Sequence, residues 1–212
     1  MQRDRTAAHI SAAELRGIKM ATAKPGERKL QILQTVAEML EQPKSEKITT
    51  AALAAKLDLS EAALYRHFAS KAQMFEGLIE FIEQTVFGLI NKISADESDG
   101  FKQVEGIVAL LLGFAQKNRG MTRVLIGDAL VNENERLQQR INQFLDRVEA
   151  TLKQSLRIAA TQGKLASEAD AGVLSNLLVC YVIGRWQQFG KSGFTRDPMA
   201  QWPQQWALLS GK

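Results

Sequence analysis

The residues best suited to chemistry lie in one stretch, ITTAALAAKLDLSEAALYRHFASKAQMF, from Ile48 to Phe75. It holds hydroxyls at Thr49, Thr50, Ser60 and Tyr65, cations at Arg66 and Lys71, and an imidazole at His67. An enzyme would need convergent nucleophile, base or metal groups, which the chain's two histidines and single cysteine do not supply, so the chemistry on offer is recognition rather than bond making. Hydroxyls, cations and helix N-termini are the groups that hold phosphate oxygens. Ser60, Glu61, Ala62, Ala63 and Tyr65 open a short helix, the position from which a helix-turn-helix unit reaches base edges in the major groove. Glu61 could accept from a cytosine amino group or simply stabilise the helix N-terminus. The small alanines permit close docking and contact with thymine methyls. Lys71 opens the next helix, where a cation opposes the helix dipole, a placement that makes sense if an anion is bound there. The plainer alternative for Lys71 is a solvated surface residue, and for His67 a structural one.

The rest of the inventory argues against catalysis. His9 and His67 are the only histidines, and neither a glycine-rich phosphate loop nor an HExxH spacing occurs. No cofactor or metal is implied. The single cysteine, Cys180, falls within the apolar run LLVCYVIG and is expected to be a small core residue. No disulfide can form within the chain, which fits a reducing cytoplasm. The apolar run over 107–115 is interrupted by Gly113 and is far short of the ~18 residues of a membrane span. No signal-peptide block opens the chain. With 45% hydrophobic and 24% charged residues, the composition is that of an ordinary globular protein. The net charge of +4 is compatible with a nucleic-acid partner without establishing one.

These groups need helices to position them. Leu30, Leu33, Val36, Ala37 and Leu40 predict a helix over 27–41, ended by Pro43 and a polar loop over 42–47. Thr50 is expected to cap a helix over 51–57, Asp58 and Leu59 to form the turn, and Ser60 to cap a helix over 61–68. Ala54, Leu57, Leu59, Leu64 and Phe68 supply the small core of this head. Ser70 caps a long connector over 71–93, with Phe75, Ile79, Ile82, Val86 and Ile90 on one stripe. An acidic break follows, then a helix over 101–117 that is apolar nearly all round and so central, stopped by Asn118, Arg119 and Gly120. Further helices are expected over 121–128, 136–160 and 168–189, with a last one near Trp202, Pro203 and Trp206. The 168–189 helix is apolar on two sides, which points to the core on one and a partner on the other. Leu174, Leu178, Tyr181, Gly184 and Trp186 are the expected dimer contacts. The fold is therefore all-α, with a basic arm over 1–26, a DNA-binding head over 27–73 and a helical dimerisation and partner-binding body over 74–212. The arm, with Arg3, Arg5, Arg16, Lys19 and Lys24, is a solvated tail on composition and could track phosphates; Met20 is a possible alternative start.

Ser60, Leu64, Tyr65, His67, Phe68, Ser70 and Lys71 match the pattern S-x-x-x-L-Y-x-[YH]-F-x-[SN]-K, and on these residues 49–75 resembles the head of the TetR family. The segments LLLGFAQKNRGMTRVLIGDAL and ERLQQRINQFLDRVEATLKQ extend the resemblance over about 27–155 to the nucleoid occlusion branch of that family. The resemblance implies an all-helical homodimer, paired through its last long helices, on a near-palindromic duplex site. It further implies a second partner, the C-terminal tail of the tubulin-like division protein FtsZ, and a cytoplasmic, nucleoid-associated protein that blocks Z-ring assembly over the chromosome. The tail would lie between the fourth and fifth helices, at Phe81, Leu110, Gly113, Lys117 and Asn118. Lys117 stands where an arginine is usual, keeping the charge and losing the bidentate fork; Leu89 stands where a basic residue is often found. Periodicity alone would assign Leu110 and Gly113 to core packing. The alternative within the family is a ligand-gated repressor, which would need a wide apolar cavity in the body.

Overall fold

The computed structural model describes residues 25–42, 48–131, 133–165 and 171–210. The expected basic arm before residue 25, the helix stop at Pro43 and the start of the helix expected from residue 168 lie outside them. Among the described residues the chain is all-helical: α1 (Pro25–Leu40), α2 (Thr50–Lys56), α3 (Glu61–Tyr65), α4 (Lys71–Asp96), α5 (Gly100–Lys117), α6 (Arg119–Leu125), a 3-10 turn (Asp128–Leu130), α7 (Glu135–Thr161), α8 (Ala171–Lys191) and α9 (Trp202–Leu209).

The head is held by caps and a small core. Thr49, extended at φ −100°, caps α2 by accepting from the Ala52 N–H at 3.1 Å, so the cap lies one residue earlier than expected. Ser60 and Ser70 cap α3 and α4 as predicted, accepting from Ala63 and Gln73. Between α2 and α3, Asp58 takes a left-handed φ of +54°. The Leu59 N–H then bonds Ala54 O and the Asp58 N–H bonds Ala55 O, the paired bonds of a Schellman stop. Leu53, Ala54, Leu64 and Phe68 are buried beneath this turn with Val36 and Leu40 of α1; each fully buried large aliphatic side chain stabilises by ~1.5–3 kcal/mol.

α4 is a single 26-residue helix running from head to body. Its stripe Phe75, Ile79, Ile82, Val86 and Ile90 is buried, as its spacing required. A polar edge ties it to α7: Arg136 pairs with Glu76 at 2.6 Å, and Arg140 grips Glu83 with two hydrogen bonds at 3.1 and 2.7 Å. Farther along, the Arg147 guanidinium stacks 3.7 Å from the Phe87 ring centre. At the end of α4 the buried Gln103 amide donates to Glu97 O and Ser94 O and accepts from Ser155 Oγ, closing the α4–α5 corner onto α7.

α5 is central, packed against α4, α6, α7 and α8, with Val104, Ile107, Val108, Leu111 and Leu112 fully buried. It is not apolar all round: Lys102 and Lys117 are exposed and Gly113 opens to the surface. Asn118 ends α5 and at once begins α6. Gly120 does not stop a helix. It lies inside α6, where the backbones of α6 and α1 meet so closely that a Cβ would fall 1.9 Å from Ala37 O.

Candidate nucleic-acid interface and partner groove

The N-termini of α2 and α3 lie side by side. The Thr50 hydroxyl donates to Glu61 Oε2 at 2.6 Å, joining the two helix starts. Glu61 thus has an intramolecular partner in addition to its place in the first turn of α3, and the Thr50 hydroxyl is spent on it. Thr49, Ser60, Glu61, Ala62, Tyr65 and Arg66 are exposed, whereas Thr50, Ala63 and His67 are half-buried. Tyr65 is the one large apolar side chain of the described head left substantially open, at 43%. The capping hydroxyls of Thr49 and Ser60 use oxygen lone pairs on the helix N–H groups, so each keeps its proton for a further acceptor. The arrangement is a surface of hydroxyl donors, one guanidinium and two helix N-termini.

Lys71 differs from the sequence expectation. Its ammonium pairs with Glu133, from the loop before α7, and lies 5.7 Å from the centre of the Phe75 ring. Neither side chain is fully open, at 27% and 15%. A partner 62 residues away leaves no mark in local sequence.

α4 and α5 are joined by a short corner and run antiparallel, with Gly106 against Ile93. Phe81 lies about as far before Ile93 as Lys117 lies after Gly106, roughly 17 Å at the helical rise. Leu89 and Leu110 are related in the same way. Along the two helices Phe81 therefore stands at about the level of Lys117, and Leu89 at that of Leu110. Phe81, Leu89, Leu110 and Gly113 are half-buried and Lys117 is exposed. Asn118 is turned inward, its amide donating to Phe114 O at 2.8 Å, and so serves first as the cap of α5.

On α8 the assignment of faces needs correction. Leu178 and Trp186 are not dimer contacts: they are 0% and 1% exposed within a single chain, and the Trp186 indole N–H donates to Leu111 O at 3.0 Å. Bulky side chains went to the protomer's own core. Tyr181 is half-buried, its hydroxyl donating to Gln205 and its ring 5.9 Å from that of Trp202 on the α9 side. Leu174 is half-buried against the core. Only Gly184 of the expected set lies on the exposed face, with open space beside it. That face also carries Val173, Leu177 and Cys180, exposed at helical spacing. Cys180 is therefore a surface residue, not the core residue expected. Residue type alone could not have told the faces apart, since Leu177 and Val173 are exposed while Leu178 and Val179 are buried.

Comparison with known proteins places this geometry. Residues 32–78 match a family model described as bacterial regulatory proteins, tetR family. Residues 98–212 match the SlmA-like model, described as tetracyclin repressor-like, C-terminal domain. The nucleoid occlusion factor SlmA of Alteromonas mediterranea is 50% identical over 190 residues, spanning 90% of this chain and 97% of that protein. SlmA of a Marinomonas species is 48% identical over 187 residues, 88% and 95% of the two chains. Among solved structures, a TetR regulator from Haloarcula marismortui superposes with a TM-score of 0.74 at 16% identity, covering 88% of this chain and 97% of its own. The fatty acid degradation regulator FadR from Bacillus halodurans does so at 0.73 and 16%, over 89% and 97%. At such identities these structures speak for the fold alone. On the sequence matches, the chain belongs to the SlmA branch of the TetR family of bacterial regulatory proteins.

Proposed function

We propose that the protein is a DNA-bound nucleoid occlusion factor that captures the C-terminal tail of FtsZ and so blocks Z-ring assembly over the chromosome. The observation that carries this is the 50% identity spread across 97% of a relative bearing that name. In this scheme residues 27–73 form the DNA-binding domain and 74–212 the dimerisation and partner-binding body. Two protomers meet through the exposed face of α8, at Val173, Leu177, Cys180 and Gly184, and present two copies of α3 about one helical turn, ~34–36 Å, apart on a near-palindromic duplex. Glu61, Ala62 and Ala63 face base edges. Thr49, Ser60, Tyr65, Arg66, His67 and Lys71 hold phosphates, while Thr50 fixes Glu61 rather than touching DNA. The tail lies along Phe81, Leu110 and Gly113, with Lys117 meeting its acidic groups.

A fluorescence-anisotropy titration of labelled duplexes tests the DNA part. The wild type binds with an affinity that falls steeply with salt. Tyr65→Ala weakens every duplex about equally, by roughly 3- to 10-fold, as loss of one phosphate hydrogen bond should. Salt-insensitive binding, or a loss confined to one sequence, would count against these assignments.

A further inference from the structure

We infer that Glu133 is a built-in competitor for phosphate at Lys71, and that it sets how strongly, and how salt-dependently, the head holds DNA. This rests on the DNA-binding reading above. Lys71 is the first residue of α4, and its ammonium is paired with the Glu133 carboxylate. The backbone that carries this carboxylate is anchored. The Glu133 N–H bonds Leu130 O at 3.0 Å, and Asn134, the next residue, caps α7 by accepting from Arg136. One turn on, Arg136 grips Glu76 at 2.6 Å, so the start of α7 is fastened alongside the start of α4. Glu133 therefore reaches Lys71 from the loop next to the start of α7, which these bonds hold beside α4.

Two consequences follow from charge alone. When Lys71 turns to a phosphate it must leave Glu133, whose carboxylate is 15% exposed and then lacks its cation. The contact made with DNA is offset by the contact broken. The counterion balance also cancels, since the phosphate releases a cation and the freed carboxylate takes one up. In the wild type Lys71 thus adds little to affinity and little to the salt slope. Glu133 touches no DNA in this scheme; it is a positioning residue acting through Lys71.

Glu133→Gln keeps the shape and removes the charge. The test uses the full chain and a labelled mixed-sequence duplex of about 30 base pairs, titrated from roughly 50 to 200 mM salt. Glu133→Gln should bind roughly 3- to 10-fold more tightly at the low-salt end. Its slope of log affinity against log salt should be steeper by about 0.9, the value of one added phosphate contact. A merely structural role would not move that slope. In a Lys71→Gln background the same substitution should change neither quantity. Wild-type binding with an unchanged or weaker Glu133→Gln overturns the inference, as does a gain that persists without Lys71. If Glu133→Gln lowers the melting temperature, Glu133→Asp gives the second measurement: its charge is retained, so wild-type slope is expected and a steeper one overturns the inference. No wild-type binding to any duplex would overturn the DNA-binding reading itself and the competition with it, an outcome plainly distinct from the others.

Discussion

Gly120→Ala is the smallest change that should separate head from body. The added Cβ would lie 1.9 Å from Ala37 O and 2.8 Å from Ala37 C, both backbone atoms of α1. Carbon and oxygen need at least about 3.0 Å, so the two helices must part by roughly 1.1 Å. No side chain can yield instead, because the obstacle is the helix itself. Parting them loosens Ile32, Val36 and Leu40, which are 0%, 1% and 3% exposed. Overpacking of this kind costs ~1–3 kcal/mol, and the rigid obstacle places it at the upper end. For a chain of this size each kcal/mol moves the midpoint by ~2–4 °C, so a fall of roughly 6–12 °C is expected. Gly88→Ala is the control: Gly88 is exposed, its Cβ would meet nothing within 4 Å, and alanine is favoured there by ~1 kcal/mol of helix propensity. Differential scanning calorimetry on both variants decides it. If Gly120→Ala melts with the wild type, the backbone contact between α1 and α6 is not what the structure describes.

On α8, Leu177→Arg should yield monomers by sedimentation at micromolar concentration with helical circular dichroism retained, because Leu177 is 50% exposed; Leu178→Arg, at 0%, should unfold the protein. An intact Leu177→Arg dimer would remove α8 from the interface. Asp99 caps α5, and its pKa is held below the ordinary carboxylate value of 3.8, chiefly by the Lys164 hydrogen bond and then by the Lys102 and Phe101 N–H groups, against burial. A lowered pKa means the stabilising interaction is complete above about pH 4 and is lost as pH falls below that. The melting difference between wild type and Asp99→Asn should therefore be constant near neutrality and shrink below pH 4; a difference unchanged down to pH 3 would contradict it.

Local patterns in this chain were readable and long-range pairings were not. The serines before α3 and α4 announce both helix starts, because capping depends on two or three neighbouring residues. Thr49 and Thr50 are chemically alike, and only the fold reveals that the first caps α2 while the second reaches Glu61. The apolar stripe of α4 is legible because its other side is polar. α8 is apolar on two sides, so periodicity gives no means of telling core from surface, and the fold buries Leu178 and Trp186, which the pattern alone leaves free to face outward. Gly120 follows Asn118 and Arg119, a combination that suggests a stop, yet its lack of a side chain serves a contact with a helix some 80 residues earlier. The pairing of Lys71 with Glu133 is equally non-local.

In the proposed function one molecule holds duplex DNA and the FtsZ tail at once. The most direct measurement is calorimetric titration of a peptide from the FtsZ C-terminus into the protein, free and duplex-bound, with wild type and Lys117→Glu. Lys117 is exposed at the C-terminal end of α5. Saturable one-site binding to the duplex-bound protein is expected, with a loss of roughly tenfold or more in Lys117→Glu, where attraction becomes repulsion. Equal binding by the two proteins, or no binding to the duplex-bound form, would contradict it.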